Sequence, residues 1–154
     1  MFMPLYRRDW AVEIAMRFFG TFYSWGGDDP SAFDCSGLSG EVYTSVGIFP
    51  RGVDMTAAGQ YAWLKKNGAK CGELTEMALH TIKPGSLVFF SKTGDPANIH
   101  HVEIVLNNSL SVGASGGGSS TTTKEIAIQQ NAFVKVRPIY GRGFKMWFAD
   151  PFES

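Results

Sequence analysis

The sequence predicts an α+β fold, and three observations carry that expectation. Apolar residues recur at helical spacing through roughly the first 67 positions. After residue 80 the texture changes to short apolar runs, each bounded by turn-forming residues. Helices first and strands afterwards is the order of helices packed on an antiparallel sheet. With 154 residues, the chain is long enough for a single domain with a substantial core. Its 44% hydrophobic and 14% aromatic content is far from that of a disordered chain.

The first helix is expected from Asp9 to Gly20, with Trp10, Ile14 and Phe18 in one stripe and Ala11, Ala15 and Phe19 beside it. "TFYSWGGDDPSAF" follows, dense in turn formers and aromatics, and reads as an ordered loop. Asp34 then has the character of an N-cap, and Leu38, Val42 and Val46 form the apolar stripe of a short helix ending at Gly47. After the turn "GIFPRG" a third helix runs from about Thr56 to Asn67, with Lys65 and Lys66 at its negative end. "KPGSLVFF" and "HHVEIVL" read as strands, "NNS" as a turn, and "LSVGAS" as a strand paired back in a hairpin. "GGGSSTTT" (116–123) is the low-complexity stretch and is expected to be a mobile loop. "AFVKVRPI" and "FKMWF" complete the strands, and no internal repeat is visible.

Fourteen basic residues balance fourteen acidic ones without a basic run, which disfavours a broad nucleic-acid-binding face. No segment approaches a transmembrane span, and the N-terminus lacks the features of a signal peptide. The expectation is therefore synthesis in a reducing cytoplasm, where the two cysteines stay free thiols. Cys35 falls at the first helical position, where unpaired N–H groups and the helix dipole favour a thiolate. Cys71 has no such address and reads as a spectator. A thiolate nucleophile needs a base. His80 lies in an amphipathic segment and reads as a surface residue. His100 and His101 are neighbours on a strand, so they should face opposite ways and only one can meet Cys35. No metal-binding spacing exists, "SGGGSS" lacks the Gly-Lys-Ser/Thr of a phosphate cradle, and no cofactor is called for.

"YSWGG" (23–27), "FDCSGL" (33–38), Pro50 and Arg51, "KPGSLVFF" (83–90) and "HHVEIVLNN" (100–108) occur in that order. The ordered set, spanning about residues 10 to 115, resembles the NlpC-type family of papain-like cysteine peptidases, which cut bacterial cell-wall peptides. The resemblance implies a papain-like fold, Cys35 as nucleophile, His101 as base, and Tyr23 beside the nucleophile at the oxyanion or substrate. It also implies that Asp34 and Ser36, and with them Trp25, line the substrate cleft, and that the bond cut joins D-glutamate to a diamino acid. A cell-wall enzyme without an export signal is expected to be phage-associated, reaching the wall after phage-type release or as a virion component, with a bacterial cytoplasmic recycling enzyme as the nearest rival. Two rivals remain: a thiol acyltransferase or amidase on the same scaffold, and a catalytically inactive wall-binding or structural protein.

The sequence departs from the family pattern twice. The third catalytic residue of the family is a histidine twelve positions after the base, which here is Gly113. The glycine of the family's His-Val-Gly is here Glu103. On a strand, His101 and Glu103 share a face, so the carboxylate could fill the space vacated at Gly113 and accept the His101 Nδ1–H. In the alternative, Glu103 faces solvent and a backbone carbonyl or Ser115 orients the ring. Gly37 and Gly40 inside the second helix imply close packing of that helix on the sheet that carries His101.

Overall fold

The computed structural model describes residues 5–29 and 32–154, so Pro30 and Ser31 of the predicted loop lie outside the described residues. Helix α1 spans Leu5–Arg17, displaced toward the N-terminus from its predicted bounds. Its end is set by tertiary pairing. Beyond Arg17 the backbone turns to a distant strand: Gly20 N–H donates to Val134 O at 2.8 Å and Tyr23 N–H to Ala132 O at 3.1 Å. Groups committed to a sheet cannot also continue a helix. The buried face of α1 is Arg8, Ala11 and Ala15, whereas Trp10 and Phe19 are about half exposed.

Helix α2 is Cys35–Ser45, and α3 is Ala57–Lys66 with Thr56 as its cap. Asp34 caps α2 as the sequence predicts, its Oδ1 accepting the Gly37 N–H at 2.7 Å. Between the first two helices, β1 (Asp28–Asp29) and β2 (Ala32–Phe33) form a short antiparallel pair.

The main sheet holds six antiparallel strands. In chain order they are β3 (Lys70–Leu74), β4 (Leu87–Ser91), β5 (Ile99–Val105), β6 (Leu110–Ser115), β7 (Phe133–Pro138) and β8 (Lys145–Asp150). Across the sheet they run β3-β8-β4-β5-β6-β7. The β5–β6 hairpin is the one the sequence predicts. Strand β3 is not legible there, because it is an edge strand whose only buried residue is Leu74. Leu38 and Val42 of α2 join Phe89, Val102, Ile104 and Val112 in one core cluster. Val88, Phe90, Val105 and Met146 belong to a second.

Two expectations are corrected here. The stretch 116–123 is fastened rather than loose. Thr121 is fully buried, its carbonyl accepts the Trp25 N–H at 2.8 Å, and Thr123 caps an unpredicted helix, α4 (Lys124–Gln130). Nor is the glycine requirement in α2 about the sheet. A β-carbon on Gly37 would collide with the carbonyl oxygen of Gly27 and stand 2.9 Å from Asp34 Oδ1, so it is the 24–27 turn that presses on the first turn of α2. At Gly40 an added β-carbon would find only Gln60 Nε2, at 3.8 Å. Gly37→Ala should therefore destabilise the protein by about 1–3 kcal/mol or more, since backbone cannot move aside as a side chain can. Gly40→Ala should be neutral or stabilising by up to about 1 kcal/mol. Thermal denaturation of the two variants separates these outcomes, and equal melting temperatures would contradict the assignment.

Candidate active site

The N-terminus of α2 is held in place by one carboxylate. Asp34 Oδ1 accepts from Gly37 N–H and from Ser36 Oγ at 3.3 Å, while Oδ2 accepts from Gly26 N–H at 3.0 Å. Burial pushes the Asp34 carboxyl up, and these hydrogen bonds oppose the rise. With both oxygens engaged, Asp34 lines the cleft but acts as the clamp between the "WGG" turn and the cysteine helix. Cys35 is the first residue of that helix, so the N–H groups of its first turn lie beside the sulfur.

Across the cleft, β5 presents His101, which is hydrogen-bonded to the Cys35 side chain. The other side of the ring is pinned: His101 Nε2 lies 2.6 Å from Glu103 Oε2. This corrects the nitrogen expected from the sequence. The carboxylate takes Nε2, which leaves Nδ1 for the sulfur. Glu103 does not face solvent. It is 1% exposed and fills the room left at Gly113, where an added β-carbon would collide with Glu103 Cγ and lie 3.0 Å from its Cδ. The pairing Ile104↔Val112 puts Gly113 opposite Glu103. Glu103 Oε1 also accepts from Ser111 Oγ at 2.7 Å.

A residue that sequence reasoning missed completes this arrangement. Arg142, in the connection between β7 and β8, binds both oxygens of Glu103: Nη1 donates to Oε2 at 2.9 Å and Nη2 to Oε1 at 2.8 Å. Its guanidinium lies over the Phe90 ring, 4.7 Å from the centroid, and the same ring is 5.7 Å from that of His101. Nothing in "YGRGF" announces this, because the partner lies 39 positions away.

The electrostatics follow from these contacts. Burial alone would pull His101 down, but hydrogen bonds to Cys35 and Glu103 and their charges outweigh it and hold the imidazolium up to about 9. Burial would raise Glu103. His101 and Arg142 reverse that, holding its carboxyl well below the usual carboxylate range. Tyr23 is buried, and burial, with the nearby charges of Cys35 and Asp34, raises its phenol so that it remains a proton donor.

A cleft of about 750 Å³ gathers Tyr23, Trp25, Asp34, Cys35, Ser36, His101 and Ser115. Trp25 stands 56% exposed at its rim. Ser115 Oγ accepts from Arg137 Nη1 at 2.6 Å, an arrangement that commits it to β7 and leaves the orientation of His101 to Glu103. His100 also lines this cleft, contrary to strict alternation along the strand. Phe90 pairs with His101 but Ser91 with Ile99, so His100 is the extra residue of a β-bulge. Its ring packs on Phe144, with centroids 4.8 Å apart. His80 is exposed on a short 3-10 turn, and Cys71, on β3, lies outside the cleft lining. Among the described residues no cluster of His, Cys, Asp and Glu could hold a metal, and no helix is long and apolar enough to cross a membrane.

Known proteins resemble this chain in sequence and in fold. The chain is 35% identical over 108 residues to "Probable endopeptidase p60" of Listeria monocytogenes, covering 70% of this chain and 19% of that protein. It is 35% identical over 109 residues to the "Bifunctional muramidase/DL-endopeptidase CwlT" of Bacillus subtilis, covering 70% of this chain and 29% of that one. The chain thus spans well under half the length of these relatives. Among solved structures, the NlpC/p60 domain of the peptidoglycan hydrolase SagA superposes with a TM-score of 0.66 at 25% identity, covering 93% of this chain and 97% of that one. The NlpC/P60 family model matches residues 20–147. The chain therefore belongs to the NlpC/P60 family.

Proposed function

We propose that this chain is a cysteine peptidase domain that hydrolyses amide bonds in peptidoglycan stem peptides, at the bond between D-glutamate and a diamino acid. The observation that carries the reading is the line Cys35–His101–Glu103: a thiol at a helix start, hydrogen-bonded to an imidazole whose far nitrogen is held by a buried carboxylate. The names of the relatives, an endopeptidase and a DL-endopeptidase, support the substrate class.

In this mechanism the pair rests as thiolate and imidazolium. Sulfur attacks the scissile carbonyl carbon, and the oxyanion is met by N–H groups of the first turn of α2 and by the protonated Tyr23 hydroxyl. The tetrahedral intermediate collapses to a thioester as His101 gives its proton to the leaving amine. Neutral His101 then takes a proton from water, the hydroxide attacks the thioester, and the acid product leaves Cys35 as thiolate again. Glu103 holds the ring in orientation throughout and offsets the imidazolium charge. Trp25 and Ser36 border the bound peptide.

Digestion of purified peptidoglycan, with fragments identified by mass spectrometry, tests the reading. New free carboxylates on D-glutamate are expected. A new amide or ester at that carbon would indicate transfer to another acceptor, and intact peptides would contradict the peptidase assignment. The pH profile is a second check. The leaving amine needs the imidazolium, which persists up to about 9, so kcat/KM should fall as pH rises through that value rather than near the ordinary histidine range.

A further inference from the structure

We infer that Arg142 is a positioning residue that acts through Glu103: it holds the carboxylate against His101 Nε2 and balances its charge, so that His101 can release its proton. The inference rests on the reading of Cys35 and His101 as the catalytic pair. Glu103 is buried at 1% exposure, and an ionised carboxylate there needs a counter-charge at every stage of the reaction. His101 can supply one only while protonated. At the moment the ring hands its proton to a leaving amine, a carboxylate paired with His101 alone would be stranded in the interior. That cost would oppose the transfer. Arg142 removes it, because the guanidinium that binds both carboxylate oxygens, at 2.8 and 2.9 Å, keeps its charge when the ring is neutral. The fork also fixes the plane of the carboxylate, which a single-point donor would not.

The surrounding charges do not duplicate this. Cys35 and Asp34 approach from the start of α2, and Tyr23 from the preceding loop. His100 lies on the same strand as His101, with Lys92 beyond β4, and both stand at the cleft lining. From β7, Lys135 feels the Glu103 charge, but its ammonium donates to Asn131 O at 2.6 Å and sits over Phe133. Arg137 is spent on Ser115. Among the described residues, Arg142 and His101 are the two ion-pair partners of Glu103.

The test is NMR titration of the His101 ring, which needs no substrate. Arg142→Gln removes the repulsion on the imidazolium and leaves Glu103 dependent on it, so the midpoint should rise by about half a pH unit or more. Arg142→Lys keeps the charge and should leave the midpoint near wild type, while kcat falls because the fork is lost. Glu103→Gln should lower the midpoint. If Arg142→Gln does not fold, the comparison moves to Glu103→Gln with and without Arg142→Gln, where loss of the arginine should again raise it. A midpoint unchanged or lowered on removing Arg142, in folded protein, would overturn the inference. A wild-type protein that cleaves no peptidoglycan yet shows these shifts would retire the peptidase reading and leave the role of Arg142 standing.

Discussion

Cys35→Ala should abolish peptidoglycan hydrolysis, and His101→Ala should cost at least about 10²–10⁴ in kcat, the worth of a positioned general base. His100→Ala should cost much less. Its ring lines the cleft but packs edge-on against Phe144, whereas the contacts with Cys35 and Glu103 belong to His101. Limiting iodoacetamide offers a check without substrate: Cys35, at a helix start beside an imidazolium, should be labelled before Cys71. Preferential labelling of Cys71 with activity retained, or equal losses from the two histidine variants in folded protein, would refute the assignment.

Glu103→Gln should lower kcat by about 10²-fold or more, as loss of the orienting carboxylate does in other triads. The glutamine keeps the volume, so the loss would be chemical rather than a packing defect. Glu103→Ala is a poorer probe, because it strands the Arg142 guanidinium, whose side chain is only 10% exposed. Breaking one side of such a pair costs about 3–5 kcal/mol. The exchange of volume between positions 103 and 113 gives a reciprocal test. Gly113→His alone should fail to pack, since its β-carbon would collide with Glu103 Cγ. Glu103→Gly with Gly113→His opens that room and should recover part of the activity. The recovery should be larger when Arg142 is also made glutamine, because a histidine beside an unpaired guanidinium is held neutral and poorly placed. Full activity in Glu103→Gln would leave a Cys35–His101 dyad with Glu103 as a structural residue.

Much of this site was legible in the sequence because its logic is local. An aspartate before a cysteine at the start of an apolar helical stripe puts that cysteine at α2's first position by capping chemistry alone. Two residues of spacing on a strand put His101 and Glu103 on one face, and a glycine opposite leaves room for the larger side chain. The hairpin β5–β6 and the helices α2 and α3 follow from the same short-range patterns.

The remainder was decided by contacts between distant segments. Arg142 reaches Glu103 across 39 positions, from a connection whose own sequence carries no periodicity. The end of α1 is set by Val134, and although Ala11, Ala15, Ile14 and Phe18 face the core as their spacing predicts, the burial of Arg8 depends on Asp150, which binds it at 2.9 Å across 142 positions. The bulge at His100 arises in the pairing of β4 with β5 and cancels the alternation that the isolated strand would obey. Gly37 answers to Gly27 in a folded-back turn. In each case the determining partner is a backbone group or charge supplied by another part of the chain, and only tertiary packing brings it within reach.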